Sequence, residues 1–132
     1  MKSITLDTNA YSDFRKGDLL ITNEIRKSDL IFIPTIIIGE LYSGFFHGNK
    51  LQDNERFLDL FLNNIFVRVV SIQSSTSKTY GRIHSELSKK GTMIPTNDIW
   101  IAACAIETNS TLVTYDKHFL MIPNLKLWKG IK

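Results

Sequence analysis

At 132 residues the chain is long enough to bury one core and too short for two, so a single domain over residues 1–132 is expected. Hydrophobic residues make up 43% and charged residues 22%, which excludes a disordered or low-complexity chain. The longest apolar run, Ile99 to Ile106, is too short to cross a bilayer, and the charged first turns (Lys2, Asp7, Asp13, Arg15) leave no secretory core. A cytoplasmic protein with no membrane partner is therefore expected.

In chain order, Ser3-Ile4-Thr5-Leu6 reads as a short strand ending at Asp7. Thr8 to Arg15 is a candidate helix with Gly17 as its stop signal, and a second helix is expected over Leu19 to Lys27. Leu30-Ile31-Phe32-Ile33, closed by Pro34, has the continuous apolar character of a strand buried on both faces. Thr35 is a candidate cap for a helix through about Phe46, which His47-Gly48-Asn49 breaks. Leu51, Phe57, Leu58, Phe61 and Leu62 recur at helical spacing, and Phe66 to Val70 is β-branched and strand-like. Thr76 to Lys89 carries Tyr80, Ile83 and Leu87 on one stripe and ends at Gly91. Pro95-Thr96-Asn97 starts a helix to about Thr108, Thr111 to Thr114 forms a strand ending near Asp116, and Leu125 to Trp128 is a candidate further strand. Strands separated by helices predict an α/β fold with a mainly parallel sheet, whose ligand sites form at the carboxyl ends of strands.

Four carboxylates stand out against this frame. Asp7 and Asp116 close strands, where an Asp alone reads first as a turn or cap residue and alternatively as a carboxylate presented to a ligand. Glu40 lies in Ile36-Ile37-Ile38-Gly39-Glu40-Leu41-Tyr42, a helix apolar on nearly every face and therefore expected to be buried. A carboxylate there must find a basic partner, take up a proton or bind a metal, and no Lys or Arg lies on its own helix. Asp98 opens the apolar helix Ile99 to Ile106, where an acid in the first turn either complements the helix dipole or points into the strand-end crevice beside Asp7. Asn9 and Thr114 are polar neighbours able to hydrogen-bond such a cluster.

Carboxylate oxygens suit hard cations, Mg²⁺ or Mn²⁺. No Cys/His pattern with zinc spacing exists: Cys104 reads as a small buried hydrophobe, and His47, His84 and His118 are isolated, with surface or packing roles expected for each. With four of the 13 acids gathered in one site, the remaining nine face 16 Lys and Arg, leaving a body of charge +7 suited to a polyanion. Arg15, Lys16, Lys89, Lys90 and Lys117 are candidates for its basic rim. A cation beside a phosphodiester would activate water and offset charge on the attacking and leaving oxygens, so no nucleophilic side chain is needed.

The segments Leu6-Asp7-Thr8-Asn9, Ile38-Gly39-Glu40-Leu41-Tyr42-Ser43-Gly44, Asn97-Asp98-Ile99-Trp100-Ile101-Ala102-Ala103 and Leu112-Val113-Thr114-Tyr115-Asp116-Lys117-His118-Phe119, in this order, resemble those of PIN-domain proteins. Within that family the chain is similar to the VapC toxins of toxin–antitoxin pairs, nearly end to end. The resemblance implies a three-layer fold with a five-stranded, mainly parallel sheet between helices, and an acidic pocket where the first and fourth strands separate. It sets Asp7, Glu40, Asp98 and Asp116 on the family's acidic positions, with Asn9 and Thr114 on its accessory polar ones. It further implies Mg²⁺- or Mn²⁺-dependent endonucleolytic cleavage of RNA, often a tRNA or rRNA, a masking antitoxin and a homodimer.

Two alternatives remain from the residues themselves. A phosphatase-like enzyme would use Asp7 as a covalent nucleophile, but such enzymes want a second acid two residues on, where this chain has Asn9. A non-catalytic RNA-binding module would have no reason to keep a carboxylate as enclosed as Glu40 is expected to be.

Overall fold

The computed structural model describes residues 1–131. Four parallel strands, β1 (Ser3–Leu6), β2 (Leu30–Pro34), β3 (Val67–Val70) and β4 (Thr111–Val113), form one sheet in the order β3-β2-β1-β4. Six helices connect them: α1 (Thr8–Arg15), α2 (Leu19–Lys27), α3 (Thr35–His47), α4 (Leu51–Leu62), α5 (Ser74–Lys90) and α6 (Thr96–Glu107). The apolar runs of β1 and β2 are buried along nearly their whole length, Ile4, Leu6 and Ile33 almost completely. Strands enclosed in this way need helices on both faces of the sheet.

The α/β expectation holds, and the chain turns where the punctuation residues predict. Gly17 and Gly91 take φ of +95° and +70°, a left-handed backbone that a side chain would strain, and they end α1 and α5. The sheet has four strands rather than five. Leu125 to Trp128 contributes only a bridge from Leu127 to Leu112, because β4 is three residues long and offers a short edge. That segment still braces the sheet: the Leu112 N–H donates to the Lys126 carbonyl and the Trp128 N–H to that of Leu112.

Two local expectations are corrected. Thr35 is the first residue of α3 rather than its cap; the preceding position is Pro34 and no side chain caps this end. Nor is α3 enclosed on all sides. Only Ile37 and Leu41 are buried, and Phe46 is 67% exposed. Helix α3 packs on β2, α1, α4 and α6, and its remaining apolar face is left at the surface. Helix α6 does behave as its sequence predicts, burying Ile99 and Ile101 to Ala105 with Cys104 among them.

The strand order decides where a site can form. After β1 the chain moves to β2 and β3 on one side, then returns through α5 and α6 to β4 on the other side of β1. The connections following β1 and β4 therefore diverge, opening a crevice at their carboxyl ends.

Candidate active site

Register brings the first two members together. Leu6 pairs with Val113, so the next residues, Asp7 and Thr114, leave the sheet side by side. Asp7 caps α1, accepting the Ala10 N–H on Oδ1 at 2.8 Å, while its Oδ2 accepts the Thr114 hydroxyl at 2.5 Å. Capping and site-building are thus not alternatives for Asp7, because each oxygen does one of them. The same Thr114 hydroxyl accepts the Asp116 N–H at 2.9 Å, which fixes the turn after β4. Trp128 donates its indole N–H to the Thr114 carbonyl at 2.7 Å, holding this buried residue from the other side.

Asp116 caps the following 3₁₀ turn (Lys117–Met121), accepting the His118 N–H at 2.9 Å. That turn packs against α6, whose first turn carries Asp98. The His118 imidazole Nδ1 lies 3.2 Å from Asp116 Oδ1 and 3.4 Å from Asp98 Oδ2, so one ring spans both carboxylates. Ligand atoms of Asp98, Asp116 and His118 all fall within 4.8 Å of one another. His118 is exposed, as the surface or packing role expected of it allows, but its place beside Asp98 and Asp116 is what sequence reasoning missed. Its signal was Asp116-Lys117-His118: an Asp capping its own turn brings the residue two positions on back over its carboxylate.

Glu40 approaches from α3. Its Oε1 accepts the Thr8 hydroxyl at 2.5 Å, and its Oε2 accepts the Asn97 amide at 3.3 Å. It is half-buried beside an open groove lined by Thr35, Ile36, Gly39, Ser43 and Asn97. The expectation of an enclosed carboxylate that needs a basic or metal partner is therefore too strong: neutral donors from α1 and α6 already serve it. Asn9, the other accessory candidate, is exposed in the first turn of α1.

The electrostatics join these groups into one acidic site. Burial pushes the Asp7 carboxyl up to about 6, partly offset by the Thr114 and Ala10 hydrogen bonds, with the Asp116 and Asp98 charges adding to the rise. Asp98 is raised as well, first by burial and then by Asp116; its contact with His118 opposes this, and Glu40 adds a smaller push upward. Like charges held this close at the edge of a core are unfavourable unless a cation or proton joins them. Carboxylates with one imidazole form a donor set that fits a divalent cation. Exposed Lys117 sits between Asp116 and His118 at the site, whereas exposed Lys16 caps the far, C-terminal end of α1, the helix that Asp7 opens.

The PIN domain family model matches residues 4–125. The chain is 35% identical over 127 residues to Ribonuclease VapC2 of Rickettsia felis, covering 92% of this chain and 93% of that protein. It is 28% identical over 126 residues to Ribonuclease VapC1 of Haemophilus influenzae, covering 92% of each. Among solved structures, a chain of VapBC2 from Rickettsia felis bound to a promoter DNA fragment superposes with a TM-score of 0.85 at 32% identity, covering 96% of this chain and 97% of that one. A chain of VapBC-1 from nontypeable Haemophilus influenzae gives 0.85 at 27% identity, covering 98% and 99%. A match across nearly the whole domain, with Asp7, Glu40, Asp98 and Asp116 all inside it, leads to one conclusion: the chain belongs to the PIN domain family.

Proposed function

We propose that this chain is a divalent-metal-dependent endoribonuclease that hydrolyses RNA phosphodiester bonds, and that it is the toxin of a type II toxin–antitoxin pair. The observation that carries the reading is the convergence of Asp7, Asp98 and Asp116 from three separate segments, with ligand atoms of Asp98, Asp116 and His118 within 4.8 Å of one another and Thr114 tying buried Asp7 to Asp116. Similarity over 92% of the chain to proteins named Ribonuclease VapC supports the activity, and similarity to VapBC chains supports an antitoxin partner.

In this reading Asp7, Glu40, Asp98 and Asp116 would hold Mg²⁺ or Mn²⁺, with Thr114 and Asn9 supporting them. The cation supplies Lewis acidity at the scissile phosphate and a lowered pKa for the attacking water. Asp7 and Asp116 are positioned through the one hydroxyl of Thr114. Glu40 is aimed by Thr8 and Asn97. Because Asp7 must ionise to bind a cation, metal and proton compete for it. A basic rim of Arg15, Lys16, Lys89, Lys90 and Lys117 draws in the RNA backbone, a tRNA or rRNA being the expected substrate class. A homodimer and a bound antitoxin would cover exposed apolar side chains such as Phe46 and Leu60, 67% and 70% exposed. Cytoplasmic action fits the substrate. The phosphatase-like alternative finds no support, since the residue two after Asp7 is the exposed Asn9 and the neighbouring acids come from other elements.

The test is cleavage of structured RNA by the purified chain with Mg²⁺, with Mn²⁺ and with excess chelator. Metal-dependent cuts that vanish in Asp98→Asn support the proposal. Undiminished cleavage in chelator, or in both Asp7→Asn and Asp98→Asn, overturns it.

A further inference from the structure

We propose that His118 Nδ1 is a direct ligand of the cation held by Asp98 and Asp116, and that this nitrogen biases the site toward Mn²⁺ over Mg²⁺. The inference rests on the metal-dependent reading above.

The ring's position is built rather than incidental. Phe119, the next residue, is fully buried, and the His118 N–H is fixed on Asp116 Oδ1, so the backbone on both sides of the imidazole is anchored. Although the side chain is 53% exposed, its Nδ1 edge faces inward to two carboxylates that are 17% and 31% exposed. The separations match a coordination shell. A six-coordinate cation with ligands about 2.0–2.6 Å away sets adjacent ligand atoms roughly 3–3.6 Å apart. Nδ1 stands 3.2 Å and 3.4 Å from one oxygen of each acid. A surface ion pair would need only one acid; here the ring bridges the two that a cation would use.

Donor chemistry gives the consequence. Mg²⁺ strongly prefers oxygen and sheds water reluctantly, whereas imidazole nitrogen is a favourable ligand for first-row transition metals. Replacing one oxygen donor by nitrogen therefore strengthens Mn²⁺ binding relative to Mg²⁺. Neither His47 nor His84 competes for the role. His47 Nδ1 lies 2.7 Å from the Ser43 carbonyl, and His84 stacks on Tyr80.

The test is pulsed electron paramagnetic resonance of the Mn²⁺-loaded full chain, with calorimetric titration by Mn²⁺ and Mg²⁺. Wild type and His84→Ala should show imidazole ¹⁴N coupling to Mn²⁺, and His118→Ala should lose it. In His118→Ala the Mn²⁺ affinity should fall roughly tenfold or more, a loss that even outer-shell partners of ligands can produce, while Mg²⁺ affinity changes much less. Mn²⁺ bound without nitrogen coupling in wild type, or coupling retained in His118→Ala, overturns the His118 assignment and leaves the metal-dependent reading standing. If neither Mn²⁺ nor Mg²⁺ binds the wild-type chain, both readings are overturned.

Discussion

Thr114 Oγ1 donates to Asp7 Oδ2 at 2.5 Å across 107 positions of sequence, and the same oxygen accepts the Asp116 N–H. One buried hydroxyl thus couples the acid after β1 to the acid after β4. Thr114→Val keeps the shape and removes both bonds. It should destabilise the protein by about 1.5–3 kcal/mol at pH 8, the range for a hydrogen bond to a charged group, and depress RNA cleavage. Thr114→Ser should restore most of both. Urea midpoints and cleavage rates of the three proteins check this.

The raised Asp7 pKa makes metal-free stability depend on pH with a definite sign. Well below pH 3.8 Asp7 is protonated in both folded and unfolded chains. As pH rises from about 4 through about 6, the unfolded chain gives up this proton first, so stability falls and then levels. A displacement from 3.8 to about 6 corresponds to a loss of about 3 kcal/mol over that window. Asp7→Asn retains an acceptor for the Ala10 N–H and removes the charge. In chelator it should melt several degrees above wild type at pH 8, with most of the difference gone at pH 4. An Asn variant less stable than wild type at pH 8 would contradict this sign.

A divalent cation should reverse that trend. Binding at a concentration 100 times its Kd stabilises the folded chain by about 2.7 kcal/mol, and the gain should shrink toward pH 5 as protons compete for Asp7 and Asp98. Thermal melts in Mn²⁺ across this range, with chelator added afterwards to restore the metal-free curve, measure it.

Asp98→Asn and Asp116→Asn should each abolish detectable RNA cleavage without lowering metal-free stability at pH 8, because each removes one member of a like-charged group. Far-UV circular dichroism alongside the cleavage assay separates this outcome from unfolding.

Glu40 offers a graded test of orientation. Thr8→Val removes the 2.5 Å hydrogen bond that aims Oε1 but leaves the charge. It should lower cleavage less than Glu40→Gln does, at a stability cost of about 1 kcal/mol. Equal losses in the two variants would mean that Glu40 works only when held by Thr8.

The sequence by itself determined the elements and their punctuation. Apolar runs such as Leu30 to Ile33 and Ile99 to Ile106 have few ways to be buried, and Gly17 and Gly91 supply backbone conformations that other residues resist. It also placed Asp7 and Asp116 at strand ends, since strand and turn chemistry are local. Three matters were left to the tertiary structure. Glu40 found its donors in Thr8 and Asn97, residues 32 and 57 positions away. Apolar composition alone could not reveal that α3 keeps one face at the surface, because the number of neighbours around a helix is a property of packing. His118 joined Asp98 and Asp116 only because the 3₁₀ turn docks on α6 and turns the ring inward. Short-range periodicity names the residues that must be buried or must turn; which polar groups then meet depends on the strand order β3-β2-β1-β4 and on side-chain direction, which no local pattern records.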